Sequence, residues 1–129
     1  MRTRVYLLFA LSATLLFGCQ RLNDERTINL SAGGIQVIEY SEPRYEQKLT
    51  IHVGSSPGAP VTVYLVRKDD SEAAQNQMDR NKAPAAPLAG KEMAEDIDLE
   101  ATVPPKTAYT LLIRADKKST EVRVKVTGR

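Results

Sequence analysis

Five carboxylates fall between positions 92 and 100: Glu92, Glu95, Asp96, Asp98 and Glu100. Such a group could hold Ca²⁺, which asks for about six to eight oxygens converging at about 2.3–2.6 Å. It could also supply the two acids of a glycosidase, one of them shielded so that it stays protonated. The spacing favours neither. Asp96, Asp98 and Glu100 alternate with Ile97, Leu99 and Ala101, so on a strand they share one face, about 6.6–6.8 Å apart along the backbone. The expectation is a solvated strand face completed by cross-strand cations such as Arg123 and Lys125. Ca²⁺ bound by Asp96, Asp98 and Glu100 is the alternative. His52 is the only histidine, and Ser55 and Ser56 follow it. A serine nucleophile needs an imidazole within hydrogen-bond reach, itself oriented by a buried acid. His52 alternates with Ile51 and Val53 and so points to solvent with Lys48 and Thr50; neighbours on one strand and its turn do not make a triad. No catalytic residue is therefore assigned.

Metals and cofactors find little else to hold them. Zinc sites need clusters of cysteine or histidine, and this chain has one of each. Gly90-Lys91 lacks the upstream glycine and following Ser or Thr of a phosphate loop. No cofactor is expected. Aromatic residues are scarce: there is no Trp, and Phe9 and Phe17 lie near the N-terminus. Beyond them only Tyr40, Tyr45, Tyr64 and Tyr109 remain, too few for a stacking platform for bases.

Cys19 is the one residue whose position carries specific chemistry. Arg2 and Arg4 precede an apolar run from Val5 to Phe17, broken only by Ser12 and Thr14 and closed by Gly18-Cys19. A basic start, an apolar middle and a small residue at the end is the order of a secretory signal. The run is shorter than the ~20 apolar residues that span a bilayer. The segment Leu16-Phe17-Gly18-Cys19 resembles the lipobox of bacterial lipoproteins. That resemblance implies cleavage between Gly18 and Cys19, a diacylglycerol thioether on Cys19 and acylation of its amino group, with palmitate the expected acyl chain. More than one chain makes a stable anchor, since each buried methylene contributes ~0.8 kcal/mol. Gln20 rather than Asp follows the cysteine, which in the sorting pattern of these lipoproteins implies the periplasmic face of the outer membrane.

Charge then reads differently along the chain. The 129 residues carry 18 Lys and Arg against 16 Asp and Glu, a formal +2. Arg2 and Arg4 account for the whole excess, so from Cys19 onward 16 bases face 16 acids. Bulk attraction to nucleic acid is thereby removed. A single cysteine also excludes an intramolecular disulfide, so an exported domain must hold together through its core. The length suits one small domain.

The elements that position these residues read as strands. Apolar and polar residues alternate around Ile28 to Leu30, Ile35 to Val37, Lys48 to Val53, Val61 to Leu65, Asp96 to Ala101 and Val122 to Val126, while Tyr109 to Ile113 is more densely apolar. Period two with β-branched residues means half-buried strands. Turn signals lie between them at Ala32-Gly33-Gly34, Ser41-Glu42-Pro43, Gly54 to Gly58, Pro104-Pro105 and Asp116 to Ser119. The spacing predicts an all-β chain, a small antiparallel β-sandwich of about six to eight strands behind an N-terminal signal helix. The expected divisions are a signal peptide at 1–18, a polar tether at 19–26 and the sandwich at 27–129. The alanine- and proline-rich stretch 70–94 interrupts the alternation and is expected to be a long flexible excursion, with Ser71 capping a short helix over Glu72 to Met78.

Leu49 to Val53, Val61 to Leu65, then Ala108 to Ile113 followed by a final valine-rich strand resemble the pre-peptidase C-terminal domain, a small β-sandwich of secreted proteins. In that family a tyrosine opens the penultimate strand, the place held here by Tyr109. Pro57-Gly58-Ala59-Pro60 stands where the family often has acidic residues, so no calcium site is carried over at that place. The resulting expectation is a lipid-anchored, non-enzymatic envelope protein acting as a binding or accessory module with an envelope protein partner. The alternative is a sandwich that binds glycan, peptidoglycan or Ca²⁺.

Overall fold

The structure, a computed structural model, describes residues 21–129. The signal helix expected at 1–18, the Gly18–Cys19 cleavage site and the lipid position Cys19 lie outside the described residues. Eight strands follow in order: β1 (Leu22–Leu30), β2 (Ile35–Tyr40), β3 (Gln47–Ser55), β4 (Val61–Arg67), β5 (Ala89–Ala94), β6 (Asp96–Val103), β7 (Tyr109–Ala115) and β8 (Thr120–Gly128). A 3-10 turn (Lys68–Asp70) leads from β4 into one helix, α1 (Ser71–Asp79). The strands form two four-stranded antiparallel sheets, β1-β8-β3-β6 and β2-β7-β4-β5. The chain is all-β and sandwich-like, as the alternation requires.

Each sheet contributes one apolar face to the space between them. Leu49, Ile51 and Val53 of β3, Ile97 of β6 and Val122, Val124 and Val126 of β8 meet Val61, Val63 and Leu65 of β4 and Leu111 and Ile113 of β7. β7 lies between β2 and β4, which is why its residues are almost all buried. At the turns, Gly33 (φ 71°) and Gly58 (φ 78°) occupy the left-handed region that glycine enters without a Cβ clash.

The second sheet is apolar on both faces. Tyr64, Val66 and Leu112 point outward and, with Ile35 and Val37 beside them, pack against Ala74 and Met78 of α1. Ala74 and Met78 lie four apart and so on one side of the helix. Period two in β2 thus has its meaning reversed: Ile38 enters the main core, while Ile35 and Val37 go under the helix.

Two expected boundaries change. Within the stretch 70–94, expected as a long flexible excursion, the chain forms α1, which covers the outer face of β4 and β7, and the edge strand β5. Ser71 is the first helical residue rather than the cap, and its hydroxyl accepts from Gln75 Nε2 at 3.2 Å. The polar tether is likewise shorter than expected. Leu22 to Arg26 are part of β1, paired with Val124 to Gly128, because backbone pairing to β8 orders even charged residues. Asp24 accepts from the Tyr40 hydroxyl at 2.7 Å and pairs with Arg26 at 2.8 Å.

Candidate functional site

The five carboxylates separate into three places. Asp96, Asp98 and Glu100 share the exposed outer face of β6. β6 adjoins β3, not β8, so Gly54, His52 and Thr50 stand opposite them. Arg123 and Lys125 lie one strand further on, across β3 from Gly54 and His52. The expected cross-strand cations are therefore displaced by the histidine. His52 Nδ1 is 2.6 Å from Asp98 Oδ1, and Nε2 is 3.4 Å from Asp96 Oδ1. Among the described residues no group of three such side chains is arranged to hold a metal ion.

The serines serve the turn. Ser55 Oγ donates to the Glu95 carbonyl at 3.3 Å, and the Ser56 N–H donates to Thr120 Oγ1 at 3.0 Å. The Glu95 carboxylate accepts from the Gly58 N–H. Glu95 thus ties the 55–58 turn to the β5–β6 corner, and both His52 nitrogens face aspartates rather than a serine oxygen.

Glu92 belongs to a different site, on the outer face of the second sheet. There a cavity of about 240 Å³ lies between the end of α1 and strands β4, β5 and β7. Its polar groups come from elements that fix them. Tyr64 of β4 donates its hydroxyl to the Glu92 carboxylate. Burial first, and then the neighbouring carboxylate, hold that phenol well above its ordinary pKa of 10.0. Arg114 of β7 donates from Nη1 to the Met78 carbonyl and to Asn81 Oδ1, both at 2.6 Å. Its Nε is buried and without a partner among the described residues.

Backbone geometry shapes the walls. α1 ends with Asn81 in the left-handed region (φ 57°), the Asn81 N–H donating to Met78 and the Lys82 N–H to Gln77, a Schellman-type stop in which Asn replaces the usual glycine. Across the cavity, the β4–β5 register shifts between Val61 and Val63. Met93 stands at this bulge with φ 51°, its N–H donating to Thr62 Oγ1 at 3.2 Å. A non-glycine residue there costs about 1–3 kcal/mol of backbone strain. Met93 nevertheless remains 53% exposed. Gly90 of β5 leaves room for the Tyr64 ring, with which a Cβ there would collide.

Sequence reasoning missed this cavity. It grouped Glu92 with the other acids and passed over Arg114, although a guanidinium in the strand Tyr109–Ala115, otherwise apolar but for Thr110, must find acceptors. The acceptors come from a helix end more than thirty residues earlier, which no local pattern shows.

No family model matches the chain, and no curated protein matches its sequence. Solved structures do share its fold. Aeromonas hydrophila PliG, a periplasmic lysozyme inhibitor of g-type lysozyme, is 8% identical with a TM-score of 0.60, covering 85% of this chain and 89% of that one. The Yersinia pseudotuberculosis-derived mitogen is 11% identical with a TM-score of 0.58, covering 82% and 85%. The pre-peptidase C-terminal domain of collagenase from Bacillus anthracis is 17% identical with a TM-score of 0.57, covering 81% and 89%. At these identities the common property is the sandwich, and the likeness to a pre-peptidase C-terminal domain extends from strand order to tertiary structure.

Proposed function

We propose that the chain is a lipid-anchored protein of the bacterial cell envelope whose sandwich acts as a non-enzymatic binding module. The observation that carries this reading is the order Leu16-Phe17-Gly18-Cys19, followed almost at once by Leu22, the first residue of an edge strand. Anchor and folded body are adjacent, so the module works against the membrane rather than at the end of a long linker. Gln20 after the cysteine favours the periplasmic face of the outer membrane. The even balance of charge beyond Cys19 favours an envelope protein over nucleic acid as partner. A fold shared with a periplasmic lysozyme inhibitor is consistent with a protein-binding role. Replacing Cys19 with Ala is expected to move the protein from the membrane fraction to the soluble one. Unchanged fractionation would overturn the anchor. Crosslinking of the tagged, lipidated chain in intact cells identifies the partner.

A second reading is favoured by the Met93 bulge, where strain is retained beside a cavity lined by Arg114, Glu92 and Tyr64. Strained backbone of this kind clusters at binding sites. The lining suits a small polar ligand such as a peptidoglycan fragment. Calorimetry with soluble peptidoglycan fragments is expected to give heat for the natural chain and severalfold weaker binding for Glu92→Gln; no heat with either protein would rule the ligand out. A parallel titration with millimolar Ca²⁺ tests Asp96, Asp98 and Glu100, for which a rise in melting temperature is the supporting result.

A further inference from the structure

We infer that one end of the sandwich, built from the 41–46 and 104–108 loops with Arg21 and Arg129, is a membrane-contacting surface that rests on an anionic phospholipid leaflet with Tyr45 at headgroup depth. The inference deepens the lipid-anchor reading and rests on it. Covalent reach supplies the first part. Only Gln20 and Arg21 separate Cys19 from Leu22. An extended chain spans at most about 3.6 Å per residue, so over these three steps the lipid-bearing residue lies within about 11 Å of the start of β1. Leu22 stands opposite Gly128, and Gly128 opposite Leu49, which fixes the sheet end nearest the anchor.

The second sheet presents the same end. Tyr40 is bonded to Asp24 of β1, and the Tyr109 hydroxyl donates to Gln47 of β3 at 3.0 Å. A groove at this end joins Arg21 and Leu22 to Tyr45 and Arg129. The loops are tied down: the Lys106 N–H donates to the Pro43 carbonyl at 2.8 Å, and Lys48 and Arg129 exchange backbone hydrogen bonds at 3.1 and 3.2 Å.

Composition then identifies the occupant. Tyr45 is 68% exposed, the most exposed large hydrophobic among the described residues. Tyrosine is the residue type that settles at a membrane–water interface, its ring among lipid and its hydroxyl in water. Within the groove Arg21, Arg44 and Arg129 balance Glu39, Glu42 and Glu46, and the exposed Lys48, bonded through its backbone to Arg129, and Lys106, bonded to Pro43, add two cations beside it. That local excess of cations complements an anionic leaflet, although the chain beyond Cys19 is neutral as a whole. The opposite end, with Ala32 to Gly34 and Lys117 to Ser119, lies a strand length away, about 27 Å for the nine residues of β1, and has no exposed aromatic side chain. This orientation turns the Arg114 cavity, which includes Ala115 and Asp116 next to that far turn, away from the membrane.

The test uses the full lipidated chain. Cys19 is the only thiol and is consumed by the lipid, so Tyr45→Cys and Ser119→Cys each give one labelling site. Each variant is labelled with an environment-sensitive fluorophore and reconstituted into phosphatidylcholine–phosphatidylglycerol vesicles carrying a nitroxide lipid quencher. Strong quenching at position 45 and severalfold weaker quenching at 119 is the expected result. Equal quenching, or stronger quenching at 119, overturns the orientation while leaving the anchor intact. Failure of the chain to float with vesicles overturns the anchor, and the orientation with it. Because the cysteine itself removes the tyrosine ring, a label at Glu42→Cys with Tyr45 retained provides the second measurement, and it too is expected to be quenched more strongly than 119.

Discussion

Asp24 shows how a single side chain can serve an edge strand. In the alternation of β1 it takes the same side as Leu22 and Ile28, where a carboxylate has no place unless it is paired. Burial by itself would raise its pKa, but the Tyr40 hydroxyl and the Arg26 guanidinium outweigh that and hold it below the ordinary 3.8. Since the folded value is the lower one, the stabilisation is complete above about pH 4 and is lost as pH falls through the folded value. Tyr40 is also stacked on Tyr109, with ring centroids 5.2 Å apart and planes 16° apart. Tyr40→Phe therefore removes the hydrogen bond and keeps the stack. It is expected to lower stability by about 1 kcal/mol at neutral pH and to reduce the acid-side loss. Urea midpoints measured from about pH 6 down to pH 2 check both effects. The Tyr109 phenol, pushed up to about 12 by burial, stays protonated throughout that range.

At the scale of elements, α1 is the part whose purpose only its packing reveals. Nine residues are too few for a helix to be stable alone in water, and just Ala74 and Met78 are buried. Its stability comes from Tyr64, Val66 and Leu112 beneath it, and from Arg114, which supplies a cation to a helix end that has no basic residue in its own last turn. The dependence is mutual: without the helix the second sheet would expose an apolar outer face. Met78→Ala is expected to cost at least about 2 kcal/mol in chemical denaturation, whereas Met78→Leu, which conserves volume, is expected to cost less than about 1.5 kcal/mol. The alternation of β3, β6 and β8 was legible because those strands have one wet face. α1 and β5 were not, because alanine, proline and polar residues carry no period, and what orders them is the face they cover.

For the whole molecule, the decisive contacts join the ends of the chain. β1 pairs along its full length with β8, Leu22 with Gly128 and Leu30 with Thr120. The folded body therefore begins before position 27. A chain begun at Thr27 would lose Leu22 to Arg26, their pairing with β8 and the Asp24–Tyr40 bond. It is expected to melt on the order of 5–10 °C below a chain begun at Gln20, measured by circular dichroism or calorimetry; equal melting would show these residues to be a tether after all. The same pairing leaves only Gln20 and Arg21 between Cys19 and the sandwich, which is why the proposed lipid anchor carries with it a proposed orientation.

The sequence by itself determined the all-β class, the faces of β3, β6 and β8, and the lipobox-like context of Cys19. These are local properties, set by alternation, turn residues and a short linear motif. Tertiary structure alone decided which strands are neighbours. That choice put His52 rather than Arg123 or Lys125 beside Asp96 and Asp98, moved Glu92 away from the other acids to Tyr64, and brought Arg114 to the end of α1. Strand order in a sandwich is fixed by burial of two whole faces at once, an energy that no short stretch of sequence contains.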